Sequence, residues 1–175
     1  MRISMFLCSA LLAAAMAVPA DAAELKPGDP APDFSMQGSD GKLHTRDEYK
    51  GKQAVVIAWF PKAKTKGCTK ECKSMRTNGE ALRKYDVAYF TASCDTPELN
   101  KEFAEELELD YPILSDPTHE NATAFGVLGA NGKAQRWTFY IDKDGKIAEI
   151  DKKVKTETHG QDIAGKLKEL GVAQK

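Results

Sequence analysis

The sequence predicts an α/β domain with a central mixed β-sheet flanked by helices. Three observations carry that prediction. Ala54 to Phe60 and Val87 to Thr91 are unbroken apolar runs of the kind that form strands covered on both faces. Each run is followed by a helix-like segment, which gives a β-α-β-α order. A late pair of short strands about the turn Asp142-Lys143-Asp144-Gly145 then leads into a final amphipathic segment.

The elements follow in chain order. Residues 1–22 read as a secretory signal peptide. Arg2 supplies the positive start, Ile3 to Val18 is alanine-rich and apolar, and Ala20-Asp21-Ala22 is a small-x-small cleavage site. Cleavage is expected after Ala22 or Ala23. The apolar stretch is too short for a membrane span, and no second one follows. Residues 23–175 are therefore expected to form one exported, periplasmic domain of about 150 residues. Glu24 to Pro32 is a proline-rich lead-in. Asp33 to Gln37 and Lys42 to Thr45 flank the turn Gly38-Ser39-Asp40-Gly41 as a hairpin extension. A helix is predicted from Thr69 to Lys84 after the first buried strand. A second begins at Asp95-Thr96-Pro97-Glu98, and a short one spans Asn121 to Phe125. Trp137 to Ile141 and Lys146 to Ile150 form the late hairpin, with Trp59 and Trp137 read as core. Gln161 to Leu170 closes the chain as a helix, with Ile163, Leu167 and Leu170 at helical spacing. This order matches a thioredoxin-like arrangement.

Net charge is −1, which argues against nucleic acid as a partner. Of four cysteines, Cys8 falls in the leader and lacks the small preceding residue of a lipoprotein site. Cys68, Cys72 and Cys94 remain. An odd number cannot all pair within one chain, so at least one thiol is free, intermolecular or transiently paired.

Cys68 is the candidate nucleophile. It lies where the first buried strand gives way to a helix, and unpaired backbone N–H groups and the helix dipole there favour a thiolate. Pro61 and Thr65 complete the pattern Pro-x-x-x-Thr-x-x-Cys. Thr65 has a second reading as an N-cap, and Pro61 as a strand terminator. Lys62, Lys64, Lys66, Lys70, Lys73 and Arg76 surround Cys68, with Glu71 the one acid among them. They make either a solvated basic face or a field that favours the thiolate. The acidic second helix, with Glu98, Glu102, Glu105, Glu106 and Glu108, reads as a solvated face. His44, His119 and His159 are scattered and read as surface residues. No phosphate-binding glycine loop is present. No cofactor or metal is expected.

Phe60-Pro61-Lys62-Ala63-Lys64-Thr65-Lys66-Gly67-Cys68-Thr69 resembles the active-site motif of the peroxiredoxins, of AhpC/TSA type, in the bacterioferritin-comigratory branch. Pro30 to Phe34, Ser93 to Pro97, Tyr111 to Asp116 and Arg136 to Gly145 match the same family in order. The resemblance implies a thioredoxin-like fold and a thiol peroxidase that reduces hydrogen peroxide and organic hydroperoxides. It implies Cys68 as the peroxidatic cysteine, oxidised to a sulfenic acid. Thr65 would direct its hydroxyl at the thiolate, Pro61 would shield the site, and Arg136 would hold the thiolate and the peroxide. It further implies an external thiol reductant such as a thioredoxin-like protein. A monomer or weak dimer, free of membrane and nucleic acid, is expected.

The resolving position departs from the family pattern. The branch often places that cysteine five residues after the peroxidatic one, where this chain has Lys73. Cys72 stands one residue earlier. Helical i,i+4 Cβ atoms are about 5–6 Å apart, whereas a disulfide needs about 3.5–4.5 Å. A Cys68–Cys72 bond would therefore require the first turn to unwind. Cys94, at the end of the second buried strand, is the alternative; it also reads as a small buried residue. A competing function is an exported copper-binding assembly protein using Cys68-Thr69-Lys70-Glu71-Cys72. Such a site wants a histidine where this chain has Arg136. A general disulfide reductase ranks lower, because no Cys-x-x-Cys is present.

Overall fold

A computed structural model describes residues 24–175. The leader, with Cys8 and the cleavage site, lies outside the described residues. The strands are β1 (Ser35–Gly38), β2 (Leu43–Thr45), β3 (Ala54–Trp59), β4 (Val87–Ser93), β5 (Ile113–Ser115), β6 (Thr138–Ile141) and β7 (Ile147–Asp151). The helices are α1 (Arg46–Tyr49), α2 (Lys66–Thr77), α3 (Gly79–Arg83), α4 (Pro97–Glu106), α5 (Glu120–Ala124) and α6 (His159–Glu169).

One seven-stranded sheet runs in the order β2-β1-β5-β4-β3-β6-β7. β3, β4 and β5 are parallel, and β6 joins β3 antiparallel. This is the expected mixed sheet with flanking helices. The N-terminal hairpin is more than an extension, because β1 pairs antiparallel with β5 and completes that side of the sheet. β5 was not foreseen. Three residues carry too little periodicity to show a strand, and only pairing to β4 and β1 defines it.

The alternation along β3 divides the core. Val55, Ile57 and Trp59 pack with Phe34, Phe90, Phe125 and Phe139 on one face. Ala54, Val56 and Ala58 pack with Met75, Leu82, Ile163 and Leu167 beneath α2, α3 and α6. A smaller cluster sits at the carboxyl ends of the parallel strands, with Phe60, Cys68, Cys72, Phe103 and Ile113. All six residues of β3 are buried, which is why its sequence is uniformly apolar.

The helix expected over Thr69–Lys84 starts earlier and is broken. α2 begins at Lys66 and ends at Thr77, and α3 takes up the chain at Gly79. At the break Asn78 Nδ2 donates to Ser74 O at 2.9 Å, a side-chain bond that competes with helix continuation. α4 is capped as its sequence suggests. Thr96 Oγ1 accepts from Leu99 N–H at 3.3 Å, and Pro97 occupies the first turn. α6 meets α2 at Gly160, where an added Cβ would lie 2.4 Å from Ser74 O and 2.9 Å from Met75 Cα. Only glycine permits that approach. Trp137 precedes β6 and is half-buried, with Lys152 Nζ 4.1 Å from its ring centroid. Among the described residues no helix is long and apolar enough to cross a membrane.

Candidate active site

Cys68 lies inside the first turn of α2 and is 1% exposed. The first intrahelical bond is Thr69 N–H to Thr65 O, at 2.9 Å. The N–H groups of Lys66, Gly67 and Cys68 therefore belong to the unpaired set at the positive end of the helix dipole.

The sheet brings Arg136 to the thiol. β6 runs antiparallel to β3, with Ala58 opposite Thr138, and Trp59 N–H donates to Trp137 O at 2.9 Å. The end of β3, which leads into the cysteine loop, thus lies beside the start of β6, which carries Arg136. Arg136 Nη2 donates to Cys68 Sγ at 3.2 Å. Gly67 sits beside the guanidinium, where an added Cβ would be in ordinary contact with Nη2 at 3.4 Å.

Pro61 follows the strand and is half-buried. The loop after it is tied down at several points. Ala63 N–H donates to Asp95 Oδ2 at 2.7 Å. Lys64, at φ 61°, reaches Glu102 and Glu106 of α4, both at 2.7 Å. The acidic helix is thus more than a solvated face, because it holds the basic loop. Lys70 pairs with Glu157, and Arg76 with Glu108. These exposed pairs place side chains more than they stabilise the fold. Thr65 is the N-cap residue, yet its hydroxyl makes no cap bond and donates instead to Lys62 O at 3.0 Å. The hydroxyl faces neither the thiol nor the helix donors in this arrangement.

Glu71 and His159, the second expected at the surface, are buried behind Arg136. Glu71 is 0% exposed, and its Oε2 pairs with Arg136 Nη1. Its Oε1 is 3.0 Å from His159 Nδ1. His159 is 1% exposed, with Nε2 2.9 Å from Thr138 Oγ1. Burial pushes the imidazole down to about 4, against the pull of Asp151 and Asp162, and Arg136 adds to the depression. His159 is therefore neutral at pH 7. A tautomer with its hydrogen on Nδ1 suits a carboxylate neighbour and leaves Nε2 to accept from the Thr138 hydroxyl. His44 is also buried, with Nδ1 2.6 Å from Tyr49 Oη, so the surface reading fails for both histidines. Glu71 had one sequence signal: at i+3 from Cys68 it shares that helix face. His159 had none, because α6 meets α2 only in the folded chain.

Cys68, Cys72 and Cys94 are free thiols. Cys72 is fully buried in the cluster of Phe60, Phe103 and Ile113, and Tyr111 Oη donates to its carbonyl at 3.0 Å. Burial pushes its thiol up to about 12. Cys94 is half-buried and packs against the cluster of Trp59 and Phe125, apart from the one that holds Cys68 and Cys72. Burial and then Asp116 push its thiol up to about 11.

Residues 27–150 match the AhpC/TSA family. The chain belongs to that family. It is 38% identical to Peroxiredoxin Bcp of Escherichia coli over 152 residues, covering 83% of this chain and 97% of that protein. Identity to Peroxiredoxin Bcp of Bacillus subtilis is 34% over 150 residues, covering 82% and 95%. The crystal structure of peroxidoxin BcpB from Mycobacterium tuberculosis superposes with a TM-score of 0.76 at 29% identity, covering 83% of this chain and 97% of that one. The fold is thus the thioredoxin-like fold of peroxiredoxins, and the protein is a thiol-dependent peroxidase with a peroxide substrate and a thiol reductant. The copper reading finds no support. Arg136 puts a cation on the thiol, and the described residues hold no group of three or more His, Cys, Asp or Glu arranged for a metal.

Proposed function

We propose that Cys68 is the peroxidatic cysteine of this peroxidase and that Arg136 is its catalytic partner. The observation that carries the reading is the Arg136 Nη2 to Cys68 Sγ contact of 3.2 Å at a helix N-terminus. The thiolate sulfur attacks one peroxide oxygen. The O–O bond breaks, and the departing oxygen takes a proton and leaves as water or alcohol. Cys68 is left as a sulfenic acid. Arg136 supplies a permanent charge and fixed donors for the thiolate and for the negative charge that grows on the departing oxygen. Pro61 shields the thiol from the loop side. Thr65 enters the reaction by turning its hydroxyl from Lys62 O to the bound peroxide, a single side-chain rotation at an exposed position.

Cys72 is the resolving cysteine in this reading. Its sulfur attacks the sulfenic sulfur, the S–S bond forms, and the S–O bond breaks with loss of water. Cys72 shares the buried cluster of Cys68, and Cys94 does not. The first turn of α2 unwinds to let the sulfurs meet. An external dithiol such as a thioredoxin-like protein then reduces the bridge. We place this chemistry outside the cytoplasm, after removal of residues 1–22, in a monomer or weak dimer that uses neither a membrane nor nucleic acid. Treating the reduced protein with one equivalent of hydrogen peroxide and mapping its peptides by mass spectrometry tests the scheme. A Cys68–Cys72 bridge is expected. A Cys68–Cys94 bridge would transfer the resolving role, and an unmodified Cys68 would end the assignment.

A further inference from the structure

We propose that His159 is a positioning residue for the peroxide step: it holds the Glu71 carboxylate, and Glu71 holds the Arg136 guanidinium on Cys68. The proposal rests on the assignment of Arg136 to that step.

The contacts form a closed circuit. Arg136 Nη2 reaches Cys68 and its Nη1 pairs with Glu71 Oε2. Glu71 Oε1 meets His159 Nδ1 at 3.0 Å, and His159 Nε2 meets Thr138 Oγ1 at 2.9 Å. Thr138 begins the strand that Arg136 leads into, so the circuit returns to its start through two residues of backbone. Three elements contribute: α2, the start of β6, and α6.

Each link has a physical reason. The guanidinium is a rigid planar fork, so its Nη1 partner sets where Nη2 points. A buried carboxylate needs partners for both oxygens. Arg136 lies against one of them as an ion pair, and His159 Nδ1 lies 3.0 Å from the other. The imidazole is held in turn at Nε2 by the Thr138 hydroxyl, with Nδ1 turned to Glu71. Glu71 touches it, and of the charged groups farther off Asp151 and Asp162 favour the imidazolium and Arg136 opposes it; burial outweighs these two acids. A neutral donor orients Glu71 without competing with Arg136 as a second cation. Gly160 makes the contact possible. It lets α6 approach the α2 backbone, and its N–H donates to Ser74 Oγ at 3.1 Å.

The test is a double-mutant cycle on single-turnover oxidation of Cys68 by hydrogen peroxide. His159→Leu should slow oxidation by about tenfold or more, as expected when a reacting group loses its alignment. His159→Asn, whose amide N–H falls near the Nδ1 position, should restore most of the rate. His159→Gln, whose amide falls near Nε2, should not. In an Arg136→Ala background His159→Leu should cost little further, because its effect passes through Arg136. An equal loss in both backgrounds would make His159 a helix-packing residue and overturn the proposal. Equal rates for the Asn and Gln variants would overturn it too, and this comparison stands even if the Leu variant does not fold. A wild-type rate for Arg136→Ala alone would strike first at the assignment of Arg136, and the proposal would fall with it.

Discussion

Cys68 and Cys72 stand one helical turn apart and are equally buried, at 1% and 0% exposed, yet their surroundings oppose each other. Cys68 faces a guanidinium at the start of the helix. Cys72 faces Phe103 and Ile113 within an apolar cluster, and burial pushes its thiol up to about 12. Equal burial therefore does not mean equal surroundings for a thiol. In the proposed scheme the charge and donors aimed at the sulfur decide reactivity, and one turn of helix separates the two environments. In the proposed scheme the Cys72 thiol becomes available when the turn that buries it opens.

The largest expected effect comes from removing the reactive side of that pair. Cys68→Ser should reduce peroxide turnover to background, because a hydroxyl at neutral pH is a far poorer nucleophile than a thiolate. A coupled assay with a dithiol reductant reads this, and a wild-type rate would break the comparison at its root.

Arg136→Ala should slow the oxidation of Cys68 by about 10²-fold, the scale of one lost charge-stabilising donor. Stopped-flow fluorescence of Trp59 and Trp137 can follow it. An unchanged rate would return Arg136 to an ordinary surface arginine.

The buried partner gives a prediction of a different kind. Cys72→Ser should leave the first oxidation of Cys68 intact, abolish the intramolecular bridge, and expose the sulfenic acid to over-oxidation under repeated peroxide. In the wild type, amides of residues 69–72 should exchange faster after oxidation, since unwinding removes their hydrogen bonds. Cys94→Ser should change turnover by less than about twofold, in keeping with its place in a separate cluster. A larger effect would move the resolving role to Cys94.

The smallest effect is on stability. His159 titrates near 4 in the folded chain against an ordinary value of 6.5. Between those values the unfolded chain binds a proton that the folded one does not. Stability should therefore fall as pH drops from about 6.5 to about 4 and lose no more through this group below that. Urea unfolding across that range should show a shallower slope for His159→Asn than for the wild type.

Much of this was legible in the chain because it is written locally. The apolar runs of β3 and β4, the Thr96-Pro97 helix start and the turn before Gly145 each depend on near neighbours in sequence, so composition and spacing reveal them. Pro61, Thr65 and Cys68 are legible for the same reason. The break at Asn78-Gly79 was also local, but two short helices and one long one share the same periodicity. β5 was not legible, because a three-residue strand exists only through its partners. The surface reading of His159 failed for a similar reason.

By itself the sequence determined an α/β domain with a cysteine at the start of a helix and an arginine ahead of a late strand. The tertiary structure alone decided that β6 runs beside β3, which sets Arg136 on Cys68. It also decided that Gly160 lets α6 close on α2, which buries Glu71 and His159 behind them. Such contacts join residues far apart in the chain. Their energy comes from desolvated charge and close packing, which local propensity does not encode.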